Sequence, residues 1–179
     1  MSHIRSRPWR LLTNFVLFQA GWLVCVIGTN HLAVLVAVAL VVLHLLLVSH
    51  RPALELGYIA LGTVAGSLLD GLWWQLGILQ PATGALDAAW IPLWLVLLWS
   101  LFLTTINHSL AWVADHRWLP WLLAPIAGPL AYWSASQLDA VRLQPMSLAF
   151  IALGWLLVFP LLIQLRNRWF GALAAGETS

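Results

Sequence analysis

The side chains able to do chemistry in this sequence are few, and most lie inside long apolar runs. Asn14 and Gln19 fall in the first run, His44 in the second, and Asn107, His108 and Ser109 late in the fourth. At a helical rise of about 1.5 Å per residue, Asn14 lies roughly 5 Å and Gln19 roughly 12 Å from the start of its run, and His44, Asn107 and His108 lie roughly 10 Å from the same side. The spacing therefore predicts one polar layer. Polar groups at such depth in an apolar medium are costly, face the bundle interior and are candidates for function. A neutral imidazole suits acid–base work near neutral pH, which makes His108 the catalytic candidate. Asn14, Gln19, His44 and Asn107 join it as ligand-binding candidates. The competing reading is an interhelical clamp, with hydrogen bonds worth about 0.5–2 kcal/mol each, and the sequence leaves both open. Neighbours on a helix point about 100° apart. Asn107 is accordingly assigned to a helix contact with Gln19 or Asn14. His108 is assigned to a cavity toward the cytoplasmic leaflet, with His44 as its second wall.

Asp70 stands apart, about 25 Å along the third run and so near the opposite interface. Gly62, Gly66 and Asp70 recur every four residues and share a face, where the glycines permit close helix approach. That face should point inward and take Asp70 with it. Two histidines at similar depth with no carboxylate nearby make an incomplete zinc set. The clustered histidines of di-iron sites are lacking as well, so no metal and no cofactor are expected. No nucleophile elbow, phosphate loop or paired-carboxylate motif occurs. His31, His50 and His116 fall in loops, where a solvated role is expected. Cys25 is the single cysteine and reads as a small buried hydrophobe.

The elements that must position these groups are membrane helices. The chain has 179 residues, 62% hydrophobic and 8% charged, with a mean hydropathy of +0.91. Soluble domains carry about 25% charged residues, and only a lipid solvent tolerates so apolar an outer surface. Six runs emerge, at about 11–28, 32–48, 53–79, 88–114, 118–136 and 146–165. They predict an all-α polytopic bundle of about six transmembrane helices in a single domain, 1–179. The third and fourth runs exceed the roughly 20 residues that a crossing needs, so they should tilt or protrude. Pro125, Pro129 and Pro160 should kink the last two spans. No internal repeat of broken helices points to a secondary transporter.

All eight basic residues are arginine. With the N-terminus inside, Arg5, Arg7, Arg10, Arg51, Arg117, Arg166 and Arg168 fall on the inner side and only Arg142 on the outer. This bias predicts both ends in the cytoplasm. The first run is read as an uncleaved span, since no small-residue cleavage site follows it. Scattered arginines at the ends of apolar runs are unlike the clustered patch of a nucleic-acid binder. Of thirteen tryptophans, Trp9, Trp90, Trp112, Trp118, Trp121 and Trp169 lie near predicted helix ends, as an interfacial belt would. Trp73, Trp74, Trp94 and Trp99 could instead line a pocket.

Four segments carry a family resemblance: Asn14-Phe15-Val16-Leu17-Phe18-Gln19-Ala20-Gly21-Trp22, Leu68-Leu69-Asp70-Gly71, Thr104-Thr105-Ile106-Asn107-His108-Ser109-Leu110 and Gly128-Pro129-Leu130-Ala131-Tyr132. In these residues and their spacing, nearly the whole chain resembles Domain of Unknown Function family 2878, small proteobacterial inner-membrane proteins. The resemblance implies a multi-pass fold in the bacterial inner membrane and supplies no reaction. It adds Tyr132 to the ligand-binding candidates. It also implies a lipid-linked role, beside fatty-acyl-modifying enzymes of the cyclopropane-synthase kind.

Three function classes follow. The first is a non-enzymatic component that binds membrane lipid or a membrane-associated lipid-modifying enzyme. It is favoured because no catalytic set is complete. The alternative is a small intramembrane lipid-modifying enzyme or lipid carrier that uses the Asn/His layer, with His108 as acid and base. The third is a proton-coupled transporter using Asp70 and the histidines.

Overall fold

The structure is a computed structural model that describes residues 8–82 and 90–176, with side chains to residue 171. Its elements are α1 (Pro8–Gly28), α2 (His31–Leu47), α3 (Pro52–Gln75), β1 (Leu79–Pro81), α4 (Leu93–Ile106), α5 (Ala111–Ala114), α6 (Leu119–Gln137), β2 (Val141–Leu143) and α7 (Ser147–Gly176). Among the described residues, three helices are long and apolar enough to cross a membrane: α1, α3 and the 147–171 part of α7. The apolar helices α2 and α4 are shorter, at 17 and 14 residues.

Helix α4 is the centre, packed by α1, α2 and α3, while α6 packs on α7 and α7 on α3. Its Leu95, Trp99, Leu101, Leu103 and Ile106 are buried. The outer helices instead present Leu, Val, Ile and Phe to the surroundings, such as Leu12 and Phe15 on α1, Leu35 and Leu46 on α2, Leu68 on α3, Ile126 on α6 and Leu157 on α7. A belt of large apolar side chains around the bundle is what a lipid solvent permits and water does not.

Close approach comes from glycine. A Cβ on Gly66 of α3 would lie 2.1 Å from the Trp99 ring of α4, and one on Gly128 of α6 would lie 2.2 Å from the Trp155 ring of α7. Only glycine leaves these slots for indole rings. Asp70, on the same face of α3 as Gly62 and Gly66, is buried as that placement requires.

Two of the expected spans are shorter than their apolar runs. The third run, read to 79, leaves the helix at Gln75, turns through Gly77 at a φ of +71°, and becomes β1. Strand β1 pairs antiparallel with β2, Leu79 opposite Leu143 and Pro81 opposite Val141. This short ribbon lies in segments read from sequence as helix and loop. Ser147 ties it down, donating from Oγ to Ile78 O at 2.6 Å.

The fourth run, read as one span over 88–114, is broken. Helix α4 ends at Ile106, the backbone turns through 107–110, and α5 follows as a single turn. Residues 88 and 89, at the start of that run, lie outside the described residues. At about 1.5 Å per residue α4 is roughly 21 Å long. A break in an apolar medium is tolerated only where protein satisfies the freed backbone groups. Finally, α7 runs on to Gly176, past the expected end at 165.

Candidate functional site

Two buried polar clusters sit at opposite ends of the bundle. The first grows from the break in α4. His108 N–H donates to Thr105 O at 3.0 Å and Leu110 N–H donates to the same oxygen at 2.8 Å. Thr104 O and Ser109 N–H thereby lose their helical partners. Asn14 of α1 replaces both: its Nδ2 donates to Thr104 O at 3.1 Å, and its Oδ1 accepts from Ser109 N–H at 3.1 Å and from Ser109 Oγ at 2.6 Å. Asn14 is wholly buried, and this is its structural use.

The break turns His108 toward α3. His108 Nε2 lies 2.9 Å from Glu55 Oε1 and 3.2 Å from Oε2. His44 Nε2, from the last turn of α2, lies 3.0 Å from the same Oε1. His44 Nδ1 is 3.1 Å from Asn14 Nδ2. The two imidazoles meet edge to face with centroids 4.9 Å apart. Glu55 stands in the first turn of α3, where the helix dipole favours a carboxylate. A carboxylate held between two imidazole N–H donors is chemically capable of storing or passing a proton.

Glu55 corrects the expectation that no carboxylate lies near these histidines. It sits four residues after Arg51 at the start of the third run, and the loop before it, Ser49-His50-Arg51-Pro52, marked the helix start. The residue in the first turn beyond that loop was the available signal. His44, Glu55 and His108 are all buried, with their donor atoms within 4.8 Å of one another. The layer otherwise differs from expectation in three ways. Gln19 is exposed and belongs to no cluster. Asn107 does not reach α1; its Oδ1 accepts from Arg166 Nε of α7 at 2.8 Å. The two residues are not neighbours on one continuous helix, so the argument from a 100° separation fails. His108 faces Glu55 and His44.

Around this cluster gather the cationic groups. Arg10 Nη1 lies 2.9 and 2.8 Å from the ring nitrogens of His50 and 3.3 Å from Val48 O. Partial burial, and then the Arg10 guanidinium, hold the His50 imidazole below its ordinary pKa. His31, His50 and His116 are exposed, as their loop positions suggested.

The second cluster centres on Asp70, which is fully buried. Trp99 Nε1 of α4 donates to its Oδ2 at 2.9 Å, and Tyr132 Oη of α6 donates to its Oδ1 at 2.5 Å. These groups edge a cleft walled by Phe18 and Trp22 of α1, Trp94, Trp99 and Phe102 of α4, Ala131 of α6 and Trp155 of α7. About 570 Å³ of empty space lies within it, the open mouth included. Its walls are almost wholly apolar. Trp99 and Trp155 stack at 5.2 Å with 21° between their planes, and Phe102 meets Trp155 edge-on at the same distance. Trp94 and Trp99 therefore line a pocket, whereas Trp73 packs in the core against Tyr132, 5.7 Å away and at 90°.

The four segments singled out in the sequence thus meet in pairs. The Asn14 segment binds the Thr104–Leu110 turn, and Asp70 binds Tyr132. The profile described as "Protein of unknown function (DUF2878)" matches residues 11–161. The chain belongs to this family. No curated protein and no solved structure matches it. All four paired segments fall inside the stretch matched to DUF2878.

Proposed function

We propose that this DUF2878 protein is a multi-pass component of a bacterial inner membrane that holds one lipid acyl chain in the cleft between α1, α4 and α6. The observation that carries the reading is the cleft itself: aromatic and aliphatic walls, an open side, and a position in a bundle whose outer faces are apolar. In a bilayer the most concentrated apolar ligand is the acyl chain, and stacked indoles give it a rigid wall. The Asp70–Tyr132–Trp99 cluster fixes the helices on three sides of the cleft, with every carboxylate oxygen satisfied inside the protein.

The six-crossing arrangement belongs to the same proposal. Arg10 at the start of α1 reaches the end of α2, and Trp169 Nε1 of α7 donates to Leu54 O at the start of α3. Asn107 at the end of α4 meets Arg166. These ends share one side of the bundle with most of the arginines, which supports N-in and C-in. The opposite side carries the β1–β2 ribbon. Held lipid is then available to a lipid-modifying partner enzyme.

A second reading has its own observation. Glu55 between His44 and His108 is a buried acid–base set, and supports a small intramembrane enzyme with His108 as its acid and base.

A phospholipid with a photoactivatable group along its acyl chain tests the main reading. Adducts are expected on the segments that carry Phe18, Trp22 and Ala131. Adducts spread evenly over the outer faces of α2 and α7, with none in the cleft, would overturn it.

A further inference from the structure

The hydrogen bonds around Asn14 determine where protons can sit in the His44–Glu55–His108 cluster. A backbone N–H is always a donor, so Ser109 N–H forces the oxygen of the Asn14 amide to face it. The amide nitrogen must then face Thr104 O, an obligate acceptor, and His44 Nδ1. An amide N–H pointing at Nδ1 requires a bare lone pair there. The proton of His44 is therefore on Nε2, donated to Glu55 Oε1. A second proton on Nδ1 would set one N–H against another inside the bundle.

His108 is under no such constraint. Its Nε2 donates to Glu55, and its Nδ1 is the ring nitrogen of the cluster that meets neither Asn14 nor Glu55. It is also the least enclosed of the three, 6% exposed against 1% for His44 and 3% for Glu55. We infer that His108 is a single-proton binding site: His108 gains and loses one proton at Nδ1 while Asn14 holds His44 in one neutral tautomer. Gain of that proton pairs an imidazolium with the Glu55 carboxylate, and its loss leaves the carboxylate between two neutral N–H donors.

The same geometry weighs against a metal ion. A cation at this centre would replace the protons on both Nε2 atoms, and His44 would then need a proton on Nδ1, facing the Asn14 amide nitrogen. Metal-bound histidines present that other nitrogen to an acceptor. The surroundings are also cationic. Arg10 of α1 and His50 of the α2–α3 turn lie together, Arg51 precedes α3 by one residue, and Arg166 of α7 binds Asn107 beside His108. Glu55 is the carboxylate facing His108, and Tyr58 lies one turn further along α3, donating to Leu162 O. Asp115, His116 and Arg117 beyond α5 are exposed. This inference does not depend on the lipid cleft or on its occupant.

Nitrogen-15 NMR of the full chain in lipid nanodiscs, labelled at histidine, tests it. His44→Gln and His108→Gln spectra assign the two rings. Over a pH series His108 Nδ1 should be the ring nitrogen that passes from a protonated to an unprotonated signal. His44 should keep a protonated Nε2 and a bare Nδ1 throughout. Ser109→Ala should leave the His44 signals unchanged, because the backbone N–H alone orients Asn14. Asn14→Leu should free His44 to carry its proton on either ring nitrogen. Equimolar Zn²⁺ should move neither ring. Titration of His44 in the wild type, a His44 proton on Nδ1, an invariant His108, or zinc-induced shifts on both Nε2 atoms would each overturn the inference.

Discussion

Glu55→Ala removes the acceptor that joins three helices, and its cost can be worked from the geometry. Glu55 is 3% exposed, and its Oε1 takes N–H donors from His44 at 3.0 Å and from His108 at 2.9 Å. Truncation leaves both donors buried without a partner. Each stranded donor costs about 1–3 kcal/mol, giving about 2–6 kcal/mol for the pair. Loss of a carboxylate from the first turn of α3 adds about 0.3–1 kcal/mol. For a chain of this size each kcal/mol moves the melting temperature by about 2–4 °C, so the variant should melt about 5–28 °C below wild type in detergent. Glu55→Gln keeps one oxygen for the two short contacts and sets an amide N–H against His108 only at the 3.2 Å position. It should lose less than half as much. The assay is thermal unfolding of the purified protein in one detergent at one pH. A Glu55→Ala protein that melts with wild type would refute the view that this carboxylate is the hub of the inner cluster.

Gly66→Leu should sharply reduce folded yield, because even a Cβ at this position lies 2.1 Å from the Trp99 ring, and overpacking costs about 1–3 kcal/mol or more. Leu68→Ala, on an exposed side chain of the same helix, should accumulate like wild type, within about 0.5 kcal/mol; equal yields of the two variants would remove the α3–α4 seam from the account. Reporter fusions after Leu79 and after Ser179 should read periplasmic and cytoplasmic respectively, and a periplasmic C-terminus would contradict the six-crossing proposal.

Much of the helical fold was legible because apolar runs and loop chemistry are local signals. Asn30 and Pro52 punctuate the chain where a side-chain cap and a helix start occur, whereas the left-handed turn at Gly77 falls inside a run read as helix to 79. The Gly62, Gly66 and Asp70 spacing placed Asp70 inward because one helix face suffices for that argument. The break at 107–110 was not legible, since Asn107, His108 and Ser109 read equally well as inward-facing polar groups of one continuous span. What ends α4 comes from another helix: the Asn14 amide satisfies the backbone groups that the break exposes. Glu55 escaped notice for a related reason. It lies at a helix start, where a carboxylate reads as a solvated end group, and only the packing of α2 and α4 encloses it. Gln19, five residues after Asn14, points outward instead, because a step of five residues turns the side chain well off the face Asn14 occupies. Tyr132 and Asp70 are 62 residues apart, a pairing that no local pattern reveals.

The central claim is that the cleft holds one acyl chain, and lipid counting by native mass spectrometry tests it most directly. Ala131→Phe places a ring in the cleft from a partly exposed position on α6. Wild-type protein released gently from detergent should retain one more tightly bound lipid than Ala131→Phe, with both proteins melting at the same temperature. Equal lipid counts for the two proteins would contradict the account.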